Sequence, residues 1–424
     1  MGIRKLDLYI GGAWVPASST ETLDLVNPAT GDVIAQVPLA APEDMDAAAS
    51  SSAEGFSAWR RMAPAARCAI IRRAAGLLRE RLEAIATVMS SEQGKPLPEA
   101  RAETLRAAEL IEWAAEEGRR TYGQTIPAPD GARYLSFWEP IGPVLALTPW
   151  NFPLVSPARK VGSSLAAGCS CILKPSEITP LSAIELVRAF ADAGLPAGVL
   201  NLVLGNPAQI SRHLLEHDAV RAVTFTGSVP VGKALSEQAG RLMKPALMEL
   251  GGHSPVIVFD DVDVEKIARV AVAAKFRNAG QVCTSPTRFY VQEKIYDAFV
   301  AAFGRHAAAL RMDAQGESPN AMGPVVSERR RSALSELIAD ARAKGARLVT
   351  GGNAREGAGF FLEPTVLADV PGTARIMNEE PFGPVAVFNR FATVEDVLSA
   401  ANGLPFGLAA YVFTTNLAGA RQVS

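Results

Sequence analysis

Apolar positions recur along this chain at two different periods, and each change of period marks a boundary. Leu8-Tyr9-Ile10 and Ala13-Trp14-Val15 flank Gly11-Gly12, which predicts two short strands around a tight turn. Asn27-Pro28-Ala29-Thr30-Gly31 predicts the next turn. From 43 to 118 the chain becomes rich in Ala, Arg and Glu. There Ile71, Leu78, Leu82 and Ile85 fall at steps of seven, four and three, one apolar stripe at helical spacing. Pro64 and the pair Pro96/Pro98 divide that region into separate helices. Tyr134-Leu135-Ser136-Phe137-Trp138-Glu139-Pro140 then returns to a strand pattern outside any helical unit.

Beyond residue 141 the apolar runs lose their alternation. Strands are expected at 144–148, 171–174, 199–204 and 220–226, separated by helices from about Pro157, from Pro180 and near Pro207. Continuously apolar strands between helices indicate parallel βαβ units buried on both faces, a doubly wound, Rossmann-like α/β domain. Such a sheet takes ligands at the carboxyl ends of its strands. Those ends read Thr148-Pro149-Trp150-Asn151, Lys174-Pro175-Ser176-Glu177, Gly205-Asn206 and Thr226-Gly227-Ser228, all polar or glycine-bearing. They form the expected cofactor rim. A second α/β unit begins near Gly251, with strands at 255–259, 288–291, 347–350, 384–388 and 410–413 and helices from Asp263, Lys294 and Thr393.

Composition narrows the class. A chain of 424 residues is too long for one compact core, so two or three domains are expected. Apolar content of 48% with 20% charged residues describes a globular enzyme rather than a disordered chain. A net charge of −2, well mixed, recruits neither nucleic acid nor anionic membrane, and Arg329-Arg330-Arg331 reads as a solvated helix face. No apolar stretch approaches the ~20 residues of a membrane span. The four cysteines, Cys68, Cys169, Cys171 and Cys283, are too sparse for a disulfide framework. Cys169 and Cys171 have no partner at zinc-site spacing, so no metal is expected. With no leader pattern at residues 1–5, the expectation is a cytoplasmic protein.

Candidate chemistry sits in a few short runs. Cys283 stands in Ala279-Gly280-Gln281-Val282-Cys283-Thr284-Ser285, and Glu249 stands thirty-four residues upstream in Met248-Glu249-Leu250-Gly251-Gly252. A thiol in a small-residue loop and a carboxylate beside paired glycines suggest a nucleophile and its general base. A lone thiol is more often a small buried hydrophobe. Asn151, on a loop stiffened by Pro149 and Pro153, offers an amide to an oxyanion, or simply satisfies a turn. Lys174 with Glu177 reads either as a surface ion pair or as a ribose-binding cluster that would favour NAD over NADP. Phe225-Thr226-Gly227-Ser228-Val229-Pro230-Val231-Gly232 closes a strand and opens a helix, a weak pyrophosphate signal without the G-x-G-x-x-G fingerprint.

Taken in order, these runs resemble the aldehyde dehydrogenase superfamily over essentially the whole chain. Glu379-Glu380-Pro381-Phe382-Gly383-Pro384 and Asn402-Gly403-Leu404-Pro405-Phe406-Gly407-Leu408 add to the match. The resemblance implies an NAD-binding domain at 1–120 and 141–250, an oligomerisation arm at 121–140 and a catalytic domain at 251–424. It implies Cys283 as nucleophile, Asn151 as oxyanion donor and Glu249 as the base that hydrolyses a thioester. Trp150, Lys174, Ser176, Glu177, Phe225, Gly227, Ser228, Val231, Leu250, Glu380 and Phe382 would hold NAD, with NADP possible. Arg159, eight residues after Asn151, and Arg277, six before Cys283, look like the arginines of succinate-semialdehyde dehydrogenases. With Phe152 and Ser285 they would line the substrate site, and guanidiniums suit a distal carboxylate. Succinate semialdehyde comes first, then glutarate or 2-oxoglutarate semialdehyde, or a broader range of aldehydes. The other reading of the arginines is pairing with internal acids.

Ser285 stands where some relatives carry a second cysteine, so no redox-switch disulfide is expected. The family usually continues past the position of Ser424, so the chain is expected to be truncated. The homodimer or homotetramer implied by the family is then in question, and the arm strand is expected to lack its mate. A catalytically silent, binding or structural homologue is the reading from another class.

Overall fold

In the computed structural model the described residues are 4–313, 317–318 and 320–423. The leader reading at 1–3 and the last residue, Ser424, lie outside them. The chain divides into two compact units. Unit 1 comprises Met1–Val26, Val33–Gln93 and Ala100–Glu249, and unit 2 comprises Asn27–Asp32, Gly94–Glu99 and Leu250–Ser424.

Unit 1 is built on a seven-stranded sheet, ordered Ala246–Leu250, Ala222–Gly227, Val144–Leu147, Cys171–Lys174, Leu200–Leu202, Leu8–Ile10 and Ala13–Val15. The strands from Ala222–Gly227 to Leu200–Leu202 pair in parallel, as continuous apolar runs demand. The N-terminal hairpin closes with Tyr9 opposite Trp14, and Gly11 and Gly12 sit at φ 64° and 87°, the left-handed pair a two-residue turn needs. Helices α1 (Pro42–Trp59), α2 (Pro64–Glu80), α3 (Leu82–Gln93) and α4 (Leu97–Glu117) follow, then α5 (Val155–Ala166), α6 (Leu181–Asp192), α7 (Pro207–Glu216) and α8 (Val229–Arg241). The apolar stripe at 71–85 belongs to two helices rather than one. Arg81 leaves the helical region at ψ 15° and binds Asp192 at 2.6 Å, while Ile71, Leu78 and Ile85 remain buried on either side of it.

Two of these helices are capped by distant carboxylates. Glu103 Oε1 accepts the backbone N–H groups of Leu154 and Val155 at the start of α5, at 3.0 and 3.1 Å. Glu92, fully buried, accepts those of Leu181 and Ser182 at the start of α6, at 2.6 and 2.8 Å, and the Ser182 hydroxyl as well. Neither Leu154 nor Pro180 offers a side-chain acceptor, so these glutamates satisfy donors that would otherwise be buried unpaired.

The strand read at 134–140 ends early, at Ser136. Arg133–Ser136 has a mate within the chain, pairing antiparallel with Gln124–Pro127 and placing Ile126 opposite Tyr134. Phe137 and Trp138 fall outside the strand and are strongly exposed.

Unit 2 holds a six-stranded sheet, ordered Arg347–Thr350, Thr365–Ala368, Val385–Phe391, Arg288–Gln292, Pro255–Val258 and Tyr411–Phe413. All neighbours are parallel except the first pair. Helices α9 (Val264–Phe276) and α10 (Glu293–Ala308) cover one face, on which Phe289 stacks on Phe388 at 4.6 Å and meets Phe303 at 5.2 Å. Helix α11 (Glu328–Ala343) covers the other, packing Leu334, Leu337 and Ile338 against Ile257, Tyr290 and Val387. Alternate residues of each strand thus feed two cores. Among the described residues, no helix is long and apolar enough to cross a membrane, and no cluster of three His, Cys, Asp or Glu could hold a metal ion.

Candidate active site

The rim of unit 1 gathers polar groups where the parallel strands end. Lys174 closes its strand buried, and its Nζ donates to Glu177 Oε2 at 2.9 Å. Burial pulls the Lys174 ammonium below its ordinary value, and Glu177 holds it up. Ser176, between them in sequence, is buried, and Trp150 and Phe152 are half-buried beside a buried Asn151. Thr148 Oγ1, at the end of the neighbouring strand, is buried without a hydrogen-bond partner. At the end of Ala222–Gly227, a Cβ on Gly227 would overlap the Phe225 ring. Ser228 precedes α8 without a side-chain capping bond, so it leaves the first-turn N–H groups open. Val231 is exposed on that turn. An orphaned hydroxyl, an open helix N-terminus and a cation–carboxylate pair on one sheet edge fit a dinucleotide.

Glu249 lies exposed on the edge strand Ala246–Leu250, followed by a half-buried Leu250. It faces Lys160, which the sequence reading missed. Lys160 is buried on α5, and its Nζ donates to Thr224 Oγ1 at 2.9 Å. Burial pulls the Lys160 ammonium down to about 8, with Glu249 opposing the fall and Arg159 adding to it. Arg159 itself is exposed and makes no ion pair among the described residues.

In unit 2 the thiol loop is sharply bent. Asn278, Ala279 and Gly280 take φ of 52°, 53° and 69°, three left-handed residues in succession. Gly280 is required twice over, because a Cβ there would overlap the Gly383 carbonyl. The bend is braced by Asn278 N–H donating to Glu99 at 2.8 Å and by a fully buried Gln281, whose Oε1 accepts Val326 N–H at 2.9 Å. Cys283 emerges from it partly exposed, whereas Cys68, Cys169 and Cys171 are buried. Burial pushes all three of those thiols up. Arg277 is exposed at the foot of the loop.

The glycine pair lies against the same loop. Gly252 N–H donates to Glu380 Oε1 at 3.2 Å. A Cβ on Gly251 would overlap the Glu380 carboxylate, and one on Gly252 would press on the Cys283 carbonyl at 3.0 Å. Burial pushes the Glu380 carboxyl up to about 7, against the pull of Gly252 N–H, Arg330 and Lys275. Phe382, two residues on, is half-buried at φ 45°. Here the reading of 329–331 as a solvated face is corrected. Arg329 is exposed, but Arg330 turns inward to the Pro381 carbonyl and Arg331 to that of Gly359.

The aldehyde dehydrogenase family profile matches residues 14–424. This chain belongs to the aldehyde dehydrogenase family. It is 47% identical to a putative 4-(hydroxymethyl)benzenesulfonate dehydrogenase of Comamonas testosteroni, covering 97% of this chain and 86% of that one. It is 42% identical to an NADP-dependent succinate-semialdehyde dehydrogenase of Escherichia coli, covering 96% and 85%. The solved succinate-semialdehyde dehydrogenase of Burkholderia pseudomallei superposes with a TM-score of 0.96 at 40% identity, covering 99% and 87%. An aldehyde dehydrogenase of this family uses NAD(P), and the fold matches the family's solved structures.

Proposed function

We propose that this aldehyde dehydrogenase oxidises a short aldehyde carrying a distal anion, succinate semialdehyde foremost. The observation that carries the reading is Arg159, an exposed guanidinium with no ion pair among the described residues, eight residues after Asn151. An exposed guanidinium without an internal acid is available to a carboxylate or sulfonate, which it binds bidentately. Arg277 is its counterpart near the thiol. The relatives' names point the same way, since succinate semialdehyde carries a carboxylate and the benzenesulfonate a sulfonate. Glutarate and 2-oxoglutarate semialdehydes share that chemistry.

The chain's own groups supply the remaining steps. The Cys283 sulfur adds to the carbonyl carbon, and the electron pair displaced onto oxygen is stabilised by the Asn151 amide and a backbone N–H. NAD(P), when bound, supplies the hydride acceptor that turns the adduct into a thioester. Glu249 then takes a proton from water, whose oxygen attacks the thioester and releases the acid and the thiolate. Phe152 and Ser285 would line the substrate side. Cofactor contacts would come from Trp150, Lys174, Ser176, Glu177, Phe225, Gly227, Ser228, Val231 and Leu250, with Glu380 and Phe382 on the ribose next to the nicotinamide.

The test compares NAD(P)H formation from succinate semialdehyde and from butanal in wild type and Arg159→Ala. The expected result is a strong wild-type preference for the charged aldehyde, with its KM rising by about 10- to 100-fold in the variant and butanal unaffected. Equal rates for both aldehydes, unmoved by the substitution, would exclude the anion reading. The cofactor preference is tested separately. Glu177 presents a carboxylate that repels a 2′-phosphate, so Glu177→Ser should lower the KM for NADP relative to NAD by about tenfold. An unchanged ratio would remove Glu177 as the discriminator.

A further inference from the structure

Helix α9 ends with a lysine that the reaction described above does not use. Lys275 is 1% exposed, and its Nζ donates to the Ser285 hydroxyl at 3.1 Å. Ser285 in turn closes the turn that carries the nucleophile, its N–H donating to the Val282 carbonyl at 2.9 Å. An ammonium buried this deeply needs a reason, because a neutral donor would hold a serine hydroxyl without the desolvation cost of a charge. Its partial compensation is Glu380, which lies against Gly251 and Gly252 beside the Cys283 carbonyl. Arg330 faces the same carboxylate. Two cations and one carboxylate meet in this buried cluster, and Gly252 links that carboxylate to the Cys283 carbonyl.

We propose that Lys275 is a positioning residue that holds the turn of Cys283 through Ser285 and biases that thiol toward its thiolate. The inference rests on Cys283 being the nucleophile. The thiol proton passes to bulk water, and the negative sulfur left behind is favoured by the cations of the cluster. Burial pulls the Lys275 ammonium down to about 7, with Glu380 holding it up. The cation is therefore strongest below that pH, and a thiolate forming beside it extends its range upward. Among the described residues, other charged or titratable groups near the loop are His253, Arg288, Arg277, Glu99 and Tyr411, whose hydroxyl donates to the Thr284 carbonyl at 2.5 Å. Burial pushes His253 down to about 3, so its ring stays neutral through the range of interest. Arg288 donates to the His253, Ala400 and Ala401 carbonyls, and Glu99 accepts Asn278 N–H.

The experiment is alkylation of the full chain by iodoacetamide, followed peptide by peptide by mass spectrometry as a function of pH. Lys275→Met should raise the midpoint for Cys283 by about one pH unit, because it removes a neighbouring cation. Lys275→Arg, which keeps a cation at that position, should leave the midpoint near the wild-type value. A merely structural lysine would alter unfolding without a midpoint that moves in Lys275→Met and returns in Lys275→Arg. If Lys275→Met does not fold, Lys275→Gln, a neutral side chain that can still donate to the Ser285 hydroxyl, decides in its place. A reactive Cys283 with unmoved midpoints overturns this inference and leaves the nucleophile in place. A Cys283 no more reactive than Cys68, Cys169 and Cys171 overturns both.

Discussion

Glu249→Gln is expected to release one equivalent of NAD(P)H per active site in the first turnover and then nearly stop. The substitution keeps the size of the side chain but removes its capacity to accept a proton. Addition of Cys283 and loss of hydride need no base at that position, whereas attack of water on the thioester does. Steady-state turnover should fall by about 10²- to 10⁴-fold, the usual worth of a positioned general base. Lys160, facing Glu249 from α5, is left without its carboxylate, which does not affect the burst. Rapid-quench measurement of NAD(P)H separates the two phases. A variant that turns over at the wild-type rate would place the base elsewhere, and one without a burst would place Glu249 before hydride loss.

Glu92→Ala should destabilise unit 1 by roughly 3 kcal/mol, the largest stability effect expected from a single side chain outside the apolar core. Glu92 accepts two backbone N–H groups and a hydroxyl at the start of α6. Removing it strands two buried donors at a helix N-terminus and opens a cavity. Burial pushes its carboxyl up to about 7, while those donors pull it back. Glu92→Gln, which keeps the volume and one acceptor, should lie about halfway. The denaturant midpoint of the two variants against wild type is the measurement. A loss below about 1 kcal/mol in Glu92→Ala would show that water or a shifted helix replaces the cap.

The same cap explains where the sequence could be read and where it could not. Local signals gave α7 and α9 well, because Asn206 and Asp263 cap their own helices. The strands at 171–174 and 347–350 appear as read, since apolar runs bounded by turn residues are local too. Helix α5 starts at Val155 rather than near Pro157 because its cap comes from α4, which no pattern around 155 encodes. Of helix α11 only the arginine face was read, and the strand Thr365–Ala368 escaped notice. The former begins on an arginine run that masks the later stripe of Leu334, Leu337, Ile338 and Ala341.

The site divides in the same way. Cys283, Gly252 and Glu380 were legible as motifs and lie together in unit 2, as do Lys174 and Glu177 in unit 1. Lys160, Lys275 and Arg330 were not legible. Each reads in sequence as an ordinary helix-surface cation, and only tertiary packing buries it.

The most direct test is to quench Glu249→Gln with acid after mixing it with succinate semialdehyde and NAD(P), then to weigh its peptides. Cys283 as covalent nucleophile predicts a succinyl thioester on the Cys283 peptide and on no other cysteine. NAD(P)H released while Cys283 stays unmodified would contradict it.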